Sequence, residues 1–186
     1  VLCRPVDVSK YGLIYACAQK NSGVSGLTVV VIRKDLLERC SDRLPLYLNY
    51  AKHSAADSMA NTPPTFAIYV LGLICKWLQE EIGGLEAMHQ INREKSDLLY
   101  RVIDESNGFY TGHANPADRS IMNVVFTTPD AEHDAKFIEL AAEAHMKTLK
   151  GHRSLGGIRA SIYNAMPLEG VQALASFMKD FAQSHG

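Results

Sequence analysis

Two short apolar runs, Leu13 to Ala18 (LIYACA) and Leu27 to Arg33 (LTVVVIR), are separated by a Gly- and Ser-rich stretch, Asn21 to Gly26. Both runs are partly β-branched and read as buried strands. The six residues of that stretch cannot carry a parallel crossover, which needs on the order of a dozen residues or more. If the two strands pair with each other, they therefore pair antiparallel. Lys20 falls at the mouth of their connection.

Downstream, Asp35 to Cys40 suits a short helix, and Ser41 to Ala60, with Pro45 and little periodicity, reads as loop. Thr62-Pro63-Pro64-Thr65 predicts a helix start with a Thr cap, since prolines are tolerated in a first turn. Phe66, Val70, Leu73, Ile74, Trp77 and Leu78 mark the apolar positions of that helix, and Gly83-Gly84 should end it. A second, amphipathic helix is predicted from Leu85 to about Glu105, carrying Leu85, Met88, Ile91, Leu98, Leu99, Val102 and Ile103 with charges between them. A strand near Met122 to Phe126, a helix from Ala131 to Met146, a strand from Gly157 to Ile162 and a helix from Leu168 to Gln183 complete an α/β chain. The glycine pair is the expected boundary, giving parts 1–84 and 85–186. Methionine and aromatic positions on the helices are expected in the core.

Lys and Arg total 19 against 20 Asp and Glu, with no basic run, so neither a nucleic acid nor an anionic membrane is indicated as a partner. A small, locally recognised ligand fits better. Cys3, Cys17, Cys40 and Cys75 are unevenly spaced and read as reduced thiols. The opening residues lack the long apolar stretch of a signal peptide, and no run is long enough to span a bilayer. A cytosolic location is the expectation. The chain also opens without an initiator Met, directly into strand-like sequence, as a piece of a longer protein would.

Chemistry has few places to sit. Lys20, in AQKNSG, stands at a strand end beside a flexible loop, where partial desolvation would lower its pKa and make the amine a nucleophile toward a carbonyl. Equally, lysines at strand ends commonly extend to water. Asn61-Thr62 precedes the Pro-Pro helix, whose N-terminal N–H groups suit a phosphate, although a plain Thr cap explains the same residues. In GHRSLGGIRAS, His152, Arg153 and Arg159 lie among three glycines. On a strand, Arg159 would point away from the side that buries Ile158 and Ala160. Such a group could bind a phosphate and a carboxylate, or it could be an exposed strand with ordinary surface arginines. There is no G-x-G-x-x-G, Walker loop or G-x-S-x-G, and the seven histidines show no metal-ligand spacing.

Three segments taken in order, YACAQKN at 15–21, SMANTPPTFAIY at 58–69 and KGHRSLGGIRASIYNAMPLEGV at 150–171, resemble the phosphoserine aminotransferase family. The resemblance runs through nearly the whole chain and corresponds to the C-terminal half of such an enzyme. It implies the end of a fold type I large, cofactor-binding domain over 1–84 and a small C-terminal α/β domain over 85–186. The implied cofactor is pyridoxal 5'-phosphate. Lys20 would match the lysine that attaches it covalently, and Gln19 the glutamine preceding it that contacts the cofactor. Asn61 and Thr62 would match a pair reaching the cofactor phosphate of the neighbouring subunit in a homodimer. His152 and Arg153 would match residues binding the substrate phosphate, and Arg159 the one binding its carboxylate.

The implied reaction is amino-group exchange between glutamate and 3-phosphohydroxypyruvate in serine biosynthesis, and some relatives also serve pyridoxine synthesis. Cys17 stands where the family usually has glycine, and Val24-Ser25 where a Pro-containing pair is common. The resemblance places the stacking aromatic, most phosphate ligands and the aspartate facing the pyridine nitrogen in an N-terminal half, so the chain alone is expected to be inactive. A catalytically dead α/β dimerisation or binding module, and a related aminotransferase with another substrate, are the alternatives.

Overall fold

The two apolar runs at the N-terminal end form an antiparallel ribbon, β1 (Leu13–Cys17) and β2 (Thr28–Ile32), in register from Leu13 opposite Ile32 to Cys17 opposite Thr28. In the computed structural model, which describes all of residues 1–186, the chain divides into two units, Val1–Leu85 and Glu86–Gly186. The expectation that both strands are buried is corrected within the first unit. Neither strand has a fully buried residue, and Tyr15 and Val31 are 71% and 50% exposed. An isolated two-stranded ribbon has two faces and cannot bury both by itself.

After β2 comes the short helix α1 (Lys34–Leu37), whose Leu36 lies so close to Gly12 that a Cβ there would meet its Cδ1 at 2.9 Å. The stretch 41–60, expected as loop, holds a single 3-10 turn at Leu46–Leu48 and the helix α2 (Tyr50–Ala55). Asn49 organises it. Its side chain accepts from the Lys52 N–H and donates to the Ser41 carbonyl at 3.2 Å, and the residue is buried. An Asn cap replaces one of the orphaned N–H partners at a helix start.

The long helix α3 (Thr65–Glu80) follows. Its last turn is closed by the glycine pair, where the Gly84 N–H bonds the Leu78 carbonyl at 2.7 Å and both glycines adopt positive φ, +89° and +98°. Only Ala67 and Leu78 are fully buried on α3. Phe66 and Tyr69, expected in the core, are 70% and 63% exposed within this unit.

The second unit is built on α4 (Leu85–Asp104), a three-stranded antiparallel sheet, and two further helices. The sheet runs β3 (Thr111–Gly112), β4 (Asn123–Thr127), β5 (Ile158–Ser161), with Val125 opposite Arg159. Helix α5 (Ala131–Glu143) joins β4 to the approach to β5, and α6 (Leu168–His185) closes the chain. Alternation sorts the strands. Val124, Phe126, Ile158 and Ala160 turn into one core with Leu99, Ile103, Phe137, Val171, Met178 and Phe181, and burial of apolar surface is what holds the layers together. Tyr110 adds a ring packed edge-on against Phe126 and a hydroxyl that donates to the Met178 carbonyl at 2.7 Å.

Helix α5 begins with a device that should respond to pH. The Asp130 carboxylate accepts from the Glu132 and His133 N–H groups at 2.9 Å and meets His133 Nδ1 at 2.8 Å. The His133 backbone N–H is the largest of the bonds holding Asp130 below its ordinary 3.8, and the Asp130 carboxylate is the main cause holding His133 above its ordinary 6.5. A depressed carboxyl stabilises above its unfolded pKa and loses that contribution as pH falls below 3.8. A raised imidazole stabilises below its unfolded pKa and loses its contribution as pH rises past 6.5. Amide protection at Glu132 and His133, corrected for intrinsic exchange, is therefore expected to peak between those limits. A flat profile from acid to mildly alkaline pH would contradict the linkage.

Candidate functional site

In the first unit, the connection between β1 and β2 is a tight, internally bonded turn. The Ala18 N–H bonds the Leu27 carbonyl at 2.9 Å, the Ser22 N–H bonds the Ala18 carbonyl at 3.2 Å, and the Gly23 N–H bonds the Lys20 carbonyl at 3.3 Å. Ala18 and Ser22 are buried, and Gly23, at φ +135°, comes so close to α3 that a Cβ there would stand 3.2 Å from Val70 Cγ1. Lys20 rides on this fixed frame with φ +81°. A non-glycine residue in that region costs on the order of 1–3 kcal/mol, and such strain persists only where the surroundings impose it. Gln19 and Lys20 are both exposed, so the partial desolvation expected for the amine is absent within this unit.

Asn61 is half-buried and Thr62 exposed, in the irregular lead into α3. The Thr cap expected from the sequence is not formed. The N-cap position belongs to Pro64, which has no side-chain acceptor, while the Thr65 hydroxyl donates to the Pro63 carbonyl and the Asn61 amide to the Thr62 carbonyl. No side chain therefore caps the first turn of α3. Two successive residues just upstream, Asp57 and Ser58, also have positive φ.

In the second unit, His152, Arg153 and Arg159 belong to one folded-back segment leading into β5. The Arg159 N–H bonds the Leu149 carbonyl at 2.7 Å, and the Gly151 N–H bonds the Gly157 carbonyl at 2.8 Å. The glycines are required here. A Cβ on Gly151 would collide with the Gly156 carbonyl, and Gly157, at φ +65°, already has the Phe126 carbonyl 2.8 Å from where its Cβ would be. The loop tip closes on His152, whose carbonyl accepts from the Leu155 and Gly156 N–H groups. Its Nδ1 lies 2.7 Å from the Ser154 hydroxyl and accepts from the Ser154 N–H at 3.3 Å. With Nδ1 accepting, the neutral ring carries its proton on Nε2, which is left to donate outward.

His152 and Arg153 line a cavity of about 560 Å³ together with Lys150, Asp134, Ala135 and Gly157. Lys150 adds a second cation beside Arg153, and it directly precedes the GHR triplet. Arg159 is not part of that lining. It is half-buried on β5, between buried Ile158 and Ala160, as the alternation predicted. Its Nε is buried without a hydrogen-bond partner. Neither Arg153 nor Arg159 belongs to any of the chain's ion pairs. A buried donor left unmatched costs about 1–3 kcal/mol, so an incoming anion at Arg159 would recover what the fold leaves unused.

The chain thus offers two kinds of group. The first unit presents a primary amine on a strained, rigid turn and a helix start without a side-chain cap. The second presents two arginines, a lysine and a histidine with no carboxylate partners on the loop and strand that carry them. An aldehyde-bearing, phosphorylated cofactor needs an amine and N–H or hydroxyl donors, and anionic substrates need unpaired guanidinium groups. The residues present fit pyridoxal phosphate on those chemical grounds. Three cysteines are partly buried and Cys17 is exposed, and none is in a disulfide. No helix is long and apolar enough to cross a membrane.

Comparison with known proteins bears on the same chemistry. A family model described as aminotransferase class-V matches residues 1–174. A phosphoserine aminotransferase of Rhodopirellula baltica is 60% identical over 184 residues, covering 99% of this chain and 49% of that protein. Among solved structures, the phosphoserine aminotransferase of Bacillus circulans subsp. alkalophilus superposes with a TM-score of 0.97 at 45% identity, covering 100% of this chain and 51% of that one. The pyridoxal-phosphate-bound phosphoserine aminotransferase of Trichomonas vaginalis gives 0.89 at 45% identity, over 96% and 51%. The chain spans about half the length of the curated relatives it matches.

Proposed function

The chain belongs to the class-V aminotransferase family, and from this we propose that it is the C-terminal half of a pyridoxal-phosphate enzyme that transfers the amino group of glutamate to 3-phosphohydroxypyruvate, giving phosphoserine and 2-oxoglutarate. The observation that carries the reading is the likeness, through nearly the whole chain, to proteins that bear the name phosphoserine aminotransferase. On the same reading residues 1–84 end the large cofactor-binding domain, residues 85–186 form the small domain, and the enzyme works as a cytoplasmic homodimer in serine biosynthesis. The phosphorylated hydroxythreonine precursor of pyridoxine is a second substrate of the same chemical type.

When bound, pyridoxal phosphate supplies an electron sink that takes up the charge left on the substrate carbon as its proton departs. Lys20 holds the cofactor covalently through its amine, and the rigid turn beneath it fixes where Nζ can reach. Displaced by substrate, the same amine carries the proton away from the substrate Cα and returns one later. Gln19 contacts the cofactor, and Asn61 with Thr62 anchors the cofactor phosphate of the partner subunit. Arg159 clamps the carboxylate common to both substrates, while Arg153 and His152 take the phosphate that only one of them carries. Lys150, in the same cavity, adds positive charge to that end.

The test is a substrate panel on the full-length protein, following each half-reaction by the cofactor spectrum. Glutamate and 3-phosphohydroxypyruvate are expected to react best, with hydroxypyruvate weaker by roughly 10- to 100-fold or more, since it lacks the phosphate that Arg153, His152 and Lys150 would contact. The 186-residue chain alone is expected to give no turnover, because most of the cofactor's anchors would lie in the other half. Preference for alanine or another unphosphorylated pair would replace this substrate assignment with that of a related aminotransferase.

A further inference from the structure

Helix α4 buries three polar side chains, Asn92, Lys95 and Ser96. Met88, Asn92, Lys95, Leu99 and Val102 follow one another at alternating four- and three-residue steps, and all five are buried. Lys95 has no exposed surface. Its Nζ donates to three main-chain carbonyls, those of Tyr163 at 2.8 Å, Met166 at 3.1 Å and Ile162 at 3.4 Å. An ammonium has three donors, so this set uses all of them. No carboxylate pairs with it. Burial alone draws its pKa down from 10.5 to about 8. One turn earlier, the Asn92 amide donates to Asn164 Oδ1 at 2.9 Å.

A cation buried without a counter-charge is a costly way to satisfy carbonyls, and it calls for a reason beyond packing. The reason lies in what those carbonyls belong to. They form the turn between β5 and α6, directly after the strand that bears Arg159. Upstream, β5 is gripped on both edges, by β4 on one side and by Leu149 and Lys150 on the other. At its exit one main-chain bond continues, from the Ile162 N–H to the Met122 carbonyl at 2.9 Å, and side chains supply the rest of the grip. Asn123 Oδ1 accepts from the Ser161 and Tyr163 hydroxyls at 3.2 Å, and Lys95 and Asn92 hold the turn from α4. A strand of four residues has little ladder to resist slippage, and a slip of one residue would turn Arg159 into the core and Ile158 out of it.

We propose that Lys95 is a positioning residue for Arg159: by closing the turn after β5 onto α4 it fixes the register of the strand that presents the guanidinium to a substrate carboxylate. The proposal rests on the reading of Arg159 as the carboxylate clamp. Lys95 itself touches neither substrate nor cofactor.

The experiment uses the full-length, cofactor-loaded enzyme with Lys95→Met, which keeps length and apolar bulk but removes the cation. Amide exchange across 158–166 is expected to accelerate on the order of tenfold, and KM for glutamate and for the phosphorylated keto acid to rise by a similar factor, with kcat little changed. In an Arg159→Leu background, Lys95→Met should add no further rise in KM, because the residue it positions is gone. Lys95→Gln and Asn92→Ala, each a milder cut of the same tether, should give smaller changes of the same sign and keep the test open if Lys95→Met does not fold. A lower melting temperature with unchanged KM and unchanged exchange at 158–166 would overturn the proposal and leave Lys95 a purely structural residue. An equal KM rise with and without Arg159 would overturn it too. If Arg159→Leu raises KM and Lys95→Met does not, only this proposal falls. If Arg159→Leu itself leaves both KM values unmoved, the carboxylate-clamp reading falls and takes the proposal with it.

Discussion

Replacing Lys20 with Ala in the full-length protein is expected to abolish transamination and to remove the visible absorbance of the bound cofactor. Two functions would disappear together, covalent retention and proton transfer at the substrate Cα. The second alone is worth on the order of 10²–10⁴-fold in rate. Five of the other nine lysines are engaged elsewhere. Lys10, Lys52, Lys76 and Lys136 lie beside Asp7, Asp42, Glu80 and Glu139 in ion pairs. Lys95 is sealed among carbonyls. Lys20 alone among the lysines has left-handed backbone geometry, imposed by a turn whose flanking Ala18 and Ser22 are buried. Residual turnover within tenfold of wild type would mean that another amine does the work.

The second large effect concerns the arginines, and for one of them its size differs between substrates. Arg159→Leu is expected to weaken both glutamate and the phosphorylated keto acid, since both carry the carboxylate. Arg153→Leu should weaken mainly the phosphorylated one. Each lost charge-assisted pair should cost on the order of 1.5–3 kcal/mol, or roughly ten- to a hundred-fold in kcat/KM. The structure supplies a reason for the separation. Arg153 lies on an exposed loop tip beside Lys150 and His152, whereas Arg159 is half-buried on β5 with a buried, unmatched Nε. Kinetics of the two half-reactions, measured separately, check the division. Equal losses in both half-reactions for Arg153→Leu would reject it.

Much of this architecture was legible because the deciding signals are local. The short Gly- and Ser-rich connection after β1 allowed only an antiparallel neighbour, and Gly83-Gly84 stops α3 because glycine takes up positive φ without the strain a side chain would add. Alternation around Arg159 identified which side of β5 is core. Features that depend on partners distant in sequence were not legible. Lys95 finds its acceptors some seventy residues away, and only its place in the series Met88, Asn92, Lys95, Leu99, Val102 hinted that a lysine stood where an apolar residue belongs. Helix α2 is too short to show a period, and β3 has two residues. The positive φ of Lys20 has no signal in the sequence at all, because it is imposed by the bonds of the surrounding turn rather than by the residue. The expected cap at Thr62 failed because the two prolines displaced the helix start to Thr65.

Borohydride reduction of the full-length, cofactor-loaded protein, followed by proteolysis and mass spectrometry of the peptides, decides which lysine holds the cofactor. Reduction makes the link between amine and cofactor permanent wherever it exists. A single pyridoxyl adduct is expected, on the peptide that contains Lys20. An adduct on Lys34 or Lys150 instead, or none on any lysine of this chain, would contradict it.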